Sequence, residues 1–253
     1  MSAYYNEHDP FAAAWLRALI TDGLIADGEV DERDIQTLDP RDLRGFTQCH
    51  FFAGIGGWSY ALRLAGWPDD RPVWTGSCPC QPFSAAGAQA GGTDPRHLWP
   101  AWYQLIRECR PPVVFGEQVE SAVAHGWLDL VSDDLEREGY AVGAVGLPAA
   151  SVGAPHIRQR LWFVADAQRE RGRRRQPRVE DAADAREPVQ AGGFWSTVEW
   201  IPCRDGKARP VEPGLFPLAH GISNRVGILR GAGNAIVPQV AAAFIDAYLG
   251  VTA

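Results

Sequence analysis

The stretch from Phe46 to Trp67 constrains the fold more than any other part of the chain. FTQCHFF is an apolar run of β-prone residues, AGIGG is a glycine turn, and WSYALRLAGW spaces its apolar residues as a helix does. Strand, tight glycine turn and helix together open an α/β unit of the kind that holds nucleotides. The alternation then continues. VWTGS (73–77) reads as a strand, 98–109 as a helix, PPVVFGEQV (111–119) as a strand, and 127–138 as a helix that Gly139 stops. YAVGAVGL and RLWFVAD read as further strands, and a last helix starts at about Pro238. Strands alternating with helices predict a Rossmann-like α/β sheet covered on both faces.

Four segments are expected. Residues 1–45 read as an accessory helical piece, with a helix over 11–20 followed by the acidic stretch DGEVDERDIQTLDP. Residues 46–166 form the main α/β domain. Residues 167–214 form a small recognition segment, charged at first and then ordered through FWSTVEWIPCRDGKARPVEPG. Residues 215–253 return to the main domain. No run of about 18 uncharged apolar residues occurs, so no membrane span is expected. The polar, acidic start does not read as a signal peptide. Five cysteines without framework spacing fit a reducing cytoplasm. The net charge of −7 argues against indiscriminate coating of nucleic acid. Yet Arg169, Arg171, Arg173, Arg174, Arg175 and Arg178 make one local basic patch, readable as a phosphate-facing surface or as a solvated linker.

The chemistry centres on Pro79-Cys80-Gln81-Pro82-Phe83-Ser84. Prolines stiffen a loop just past a strand, where α/β folds place their ligands, and the cysteine sits between rigid neighbours. Glu117 ends the apolar run VVFG, and Arg158 and Arg160 alternate, so in a strand they would share a side. Cys78 and Cys80 lack a matching pair of partners, so no metal is expected.

FFAGIGG (51–57), PCQPFS (79–84), GEQV (116–119), IRQRLWFV (157–164) and GNAIVP (233–238) occur in this order. Together they resemble the motif series of the DNA cytosine-5 methyltransferases, over residues 46–166 and about 215–249. PCQPFS is the most specific element. The resemblance implies that the Cys80 thiolate adds to C6 of a flipped cytosine, which makes C5 able to attack an electrophilic carbon. Glu117 would hold the pyrimidine at N3 and N4, while Arg158 and Arg160 orient the base or the backbone. Phe52, Gly54, Ile55, Gly56, Pro79, Asn234 and Ile236 match positions that line the S-adenosyl-L-methionine site. Gln81, Ser84, Arg173, Arg174 and Arg175 are expected at double-stranded DNA. The C-terminal helix should return to the glycine turn.

Three departures stand out. The gap from Gly57 to Cys80 is too short for the two strands and helix that the family fits there, with their acids for the ribose and the adenine. Asp69 and Asp70 are the acids available in that gap, so the sheet is expected to be truncated on the cofactor-adenosine side. That opens an alternative one-carbon donor, 5,10-methylenetetrahydrofolate, giving 5-hydroxymethylcytosine. In EQV, Gln118 replaces the usual Asn, and a longer amide is expected to brace the catalytic loop less well. A catalytically silent DNA-binding homologue and an RNA methyltransferase are the other readings. His50, where motif I usually has an acid, reads as a packing residue.

Overall fold

The computed structural model describes residues 2–79, 98–154, 156–168, 199–202, 208–211, 231 and 233–252. Its main strands are β1 (Ser2–Asn6), β2 (Gly28–Asp31), β3 (Phe46–Phe51), β4 (Val73–Gly76), β5 (Val113–Val119), β6 (Ala141–Pro148) and β7 (Gln159–Asp166). They form one seven-stranded sheet in the order β2-β1-β3-β4-β5-β7-β6. Pairing is parallel from β2 across to β5, and β7 runs antiparallel between β5 and β6. A separate antiparallel pair joins β8 (Glu199–Pro202) to β9 (Ala208–Val211).

Helices α1 (Pro10–Thr21), α2 (Gly57–Leu64), α3 (Trp99–Cys109), α4 (Trp127–Arg137) and α5 (Pro238–Thr252) cover the sheet. On one face, Leu16 of α1 packs with Tyr5, while Trp58 and Leu62 of α2 and Val240 and Phe244 of α5 pack with Val73 and Phe115. On the other, Trp102 and Ile106 of α3 and Val131 and Leu135 of α4 pack with Phe51, Trp74 and Val114. β5 opens with the apolar run VVFG, buried on both faces as in central parallel strands, and only then turns polar at Glu117 and Gln118. Phe115 is fully buried among Trp58, Trp67, Phe244 and Tyr248, where truncation to Ala would cost about 3–5 kcal/mol. Local signals fix the helix ends. Asp9 caps α1 by accepting from the Phe11 and Ala12 amides, and Pro10 supplies a preset first turn.

The expected α/β sheet with helices on both faces is what the chain forms. The expected truncation is not. Residues 1–45 supply β1, α1 and β2, and these two strands extend the sheet beyond β3 on the side that was expected to be short. The physical reason is that β1 gives no alternation to read: Ala3, Tyr4, Tyr5 and Asn6 are all buried. β2, GEVD, carries two acids, and the lateral placement of β1 against β3 is a tertiary fact that linear order does not carry. Among the described residues, no helix is long and apolar enough to cross a membrane.

Candidate active site

The sheet changes winding direction between β1 and β3. β1 leads through α1 outward to β2, while its neighbour β3 leads through α2 the other way to β4. Two adjacent strands that part in this way leave a crevice past their C-terminal ends, where open α/β sheets bind ligands. Glu7 follows β1 there, and the glycine turn follows β3. The Glu7 carboxylate spans the two, accepting from the Gly54 amide at 2.7 Å and from the Asp9 amide at 2.8 Å. Gly54 and Gly56 have φ of 56° and 82°. Phe52 adopts φ 50°, a left-handed conformation that costs a non-glycine residue energy and that clusters at ligand sites. A Cβ on Gly57 would come within 2.8 Å of Ile236 Cγ1, so the turn accepts the C-terminal segment only because that position has no side chain.

A second group gathers where β4, β5 and β7 meet. Glu117 is 8% exposed, with its Oε1 2.9 Å from Nε of Arg160. Burial pushes the Glu117 carboxyl above its ordinary value of 4.5, against the opposing pull of Arg160, Ser77 and Arg158. Burial, with Arg160 beside it, lowers the guanidinium of Arg158. Nη2 of Arg158 donates to the carbonyls of Gly233 (3.0 Å) and Ala235 (2.6 Å). Ser77, just past β4, accepts from Trp58 Nε1 at 3.1 Å. Gln118 is 2% exposed and its Nε2 donates to the Cys78 carbonyl at 3.2 Å, so the longer amide does reach the loop it was expected to brace poorly. A buried carboxyl beside two guanidiniums can bind a polar ring edge and, in the protonated form that burial favours, pass a proton to it.

The family model described as C-5 cytosine-specific DNA methylase matches residues 67–190. Over those residues the chain is similar to the C-5 cytosine-specific DNA methylases. The Type II methyltransferase M.AluI of Cellulosimicrobium cellulans is 31% identical over 166 residues, covering 60% of this chain and 32% of that protein. The Type II methyltransferase M.HhaI of Haemophilus parahaemolyticus is 31% identical over 163 residues, covering 49% of this chain and 50% of that protein. The chain thus spans about a third to a half of the length of these curated relatives. Among solved structures, the S. pombe Dnmt2 methyltransferase is similar at 15% identity and a TM-score of 0.43, over 67% of this chain and 52% of that one.

Of the residues that the methylase resemblance singles out, the structure brings Glu117, Arg158 and Arg160 together. Arg158 is not in the strand, however. β7 starts at Gln159, and Arg158 takes φ 38° just before it. Strand alternation therefore does not orient this side chain; its hydrogen bonds to the 233–235 backbone do. Phe52, Gly54, Ile55 and Gly56 form the turn past β3, Ile236 is buried against it, Asn234 is exposed, and Pro79 is exposed just past Cys78. The expected return of the C-terminal helix to the turn is seen in the packing of α5 on α2. Cys80, Gln81, Ser84, Arg173, Arg174 and Arg175 lie outside the described residues. Asp69, weighed as a cofactor acid, is ion-paired with Arg63 on the surface at 2.7 Å. Sequence reasoning missed Glu7 and Ser77. A short strand ending at Asn6-Glu7 ahead of a capped helix was the available signal for Glu7, and nothing in the sequence singled out Ser77.

Proposed function

We propose that this chain transfers a methyl group from S-adenosyl-L-methionine to C5 of cytosine in double-stranded DNA. The observation that carries the proposal is the buried Glu117 carboxyl, ion-paired to Arg160 at the mouth of β5, one strand away from the exit of β4 into PCQPFS. In this reading the Cys80 thiolate forms a bond to C6 of the extruded base. Glu117 hydrogen-bonds the N3–N4 edge and draws charge from the ring. When bound, the donor would give up its electrophilic methyl carbon to C5 and leave as the neutral thioether; loss of the C5 hydrogen as a proton and cleavage of the Cys80–C6 bond then restore the aromatic ring and the thiolate.

The residues at the switch point fit this donor. Glu7 keeps lone pairs free beyond its two amide contacts and can accept from ribose hydroxyls. Asp34, just past β2, caps the turn that follows by accepting from the Gln36 amide, and is proposed as a second acid on the adenine side in preference to Asp31, which is taken up by Tyr4 and Arg33. The unit that the family places between the glycine turn and the cysteine loop thus stands ahead of the turn in this chain. The motive for the folate donor, a missing adenosine half, is thereby removed. Arg158 holds the 233–235 backbone over the turn, and Arg160 orients Glu117. Gln81, Ser84, Arg173, Arg174 and Arg175 are proposed to contact DNA.

The test is mass spectrometry of nucleosides from DNA incubated with the protein and either donor. 5-Methylcytosine formed only with S-adenosyl-L-methionine is expected. 5-Hydroxymethylcytosine would replace the donor assignment, and unmodified cytosine, with no covalent adduct on 5-fluorocytosine DNA, would overturn the catalytic reading. The adduct should be absent in Cys80→Ala.

A further inference from the structure

We infer that Ser77 is a positioning residue for Glu117, and that Trp58 fixes the direction in which its hydroxyl points. The inference deepens the proposed use of Glu117 and rests on it for its catalytic meaning, though not for its geometry. β4 and β5 pair in register at Gly76 and Gly116, so the next residue of each strand, Ser77 and Glu117, emerges beside the other. A serine hydroxyl has one hydrogen to give and lone pairs to receive. The Trp58 indole N–H can only donate, and it reaches Ser77 Oγ at 3.1 Å. That contact occupies a lone pair and leaves the serine hydrogen for an acceptor, and the acceptor we assign to it is the neighbouring Glu117 carboxyl, whose pKa Ser77 pulls downward.

Trp58 has no room to swing away. It is 3% exposed, edge-on to Trp162 and stacked on Phe115. The hydroxyl is thus aimed by a rigid indole rather than by solvent. The charged groups facing Glu117 are Arg160 on β7 and Arg158 just before it. Ser77 differs from both in holding the carboxyl without bringing a charge. It favours the ionised form by hydrogen bonding alone, against the burial that favours the protonated one. Arg158 is committed to the 233–235 backbone, so Ser77 and Arg160 together set how Glu117 sits.

The test is a carbon-13 NMR titration of protein labelled at the glutamate side-chain carboxyls, with the Glu117 signal assigned by its loss in Glu117→Gln. In Ser77→Ala the Glu117 midpoint should rise by about one pH unit, the worth of a hydrogen bond to a charged group. Trp58→Phe should move it the same way by less, and Ser77→Thr, which keeps the hydroxyl, should restore it. An unchanged midpoint in Ser77→Ala, or a Ser77→Thr midpoint equal to that of Ser77→Ala, overturns the inference. Methyl transfer to DNA measured across pH separates the two readings. A shifted midpoint in a protein that transfers nothing sinks the proposed function and leaves the positioning role. Transfer with an unshifted midpoint does the reverse. If both hold, the limb of the kcat/KM profile set by Glu117 moves up in Ser77→Ala as far as the NMR midpoint does.

Discussion

Lowering the pH should strike this fold first through His50. The imidazole is 1% exposed, stacked on Tyr5 with ring centroids 4.8 Å apart. Its Nδ1 meets Thr75 Oγ1 at 2.8 Å, and its Nε2 has no hydrogen-bond partner among the described residues. Burial holds its pKa at about 3, against 6.5 for an exposed histidine. The folded value is depressed, so the stability tied to the neutral ring is present above 6.5 and drains away as the pH falls through the window from 6.5 towards 3. At about 1.4 kcal/mol per pH step, going from pH 7 to pH 5 costs about 2 kcal/mol. That is a large share of a typical total of about 5–15 kcal/mol. Urea unfolding followed by tryptophan fluorescence at the two pH values measures the loss. His50→Phe keeps the ring against Tyr5 and leaves Thr75 short of a partner at every pH. It should lower stability at pH 7 yet lose about 2 kcal/mol less than the wild type on acidification. Glu117, whose raised value gives the opposite sign, is common to both proteins and cancels. Equal acid sensitivity in the two proteins would refute the assignment.

Three other outcomes follow from contacts at the crevice and the sheet. Glu7→Gln should weaken S-adenosyl-L-methionine binding by about 10- to 100-fold in calorimetry, because it removes a charged acceptor from the switch point. Arg158→Ala should release the 233–235 backbone and weaken the same binding about tenfold, with little change in Tm, since it cuts two hydrogen bonds at the edge of the fold. Tyr248→Phe leaves the buried Asp166 carboxylate without its 2.9 Å partner and should cost about 1–3 kcal/mol in urea unfolding while leaving donor binding unchanged.

Much of the frame was readable from local pattern. The helix predicted over 11–20 forms over Pro10–Thr21, because Asp9 and Pro10 mark its start chemically. β5 shows in the sequence through its first four residues, VVFG, because burial on both faces favours apolar residues there. β1 escaped because all but its first residue is buried, and its polar end, Asn6, turns inward to bond the carbonyls of Asp31 and Arg33. The site was readable where its residues are chemically unusual, as at Glu117 and Arg160. It was opaque where position alone gives a common residue its role: Glu7 counts because β1 lies against β3, Ser77 because Trp58 points at it, and Arg158 because a left-handed backbone turns it to the C-terminal segment.

The first β-α-β unit can be regarded as a cassette with both of its ends at one place. Ser2 pairs with Phe46 at the starting end of the parallel strands, and Arg44 and Pro72 line the same cavity of about 760 Å³ beneath them. Cutting the cassette out of the front and splicing it between α2 and β4 would leave every strand neighbour as it is. A chain rewired in this way should therefore still melt cooperatively with an unchanged far-ultraviolet spectrum. In such an architecture the order of segments along the gene is free to be reshuffled, while the crevice they enclose is not.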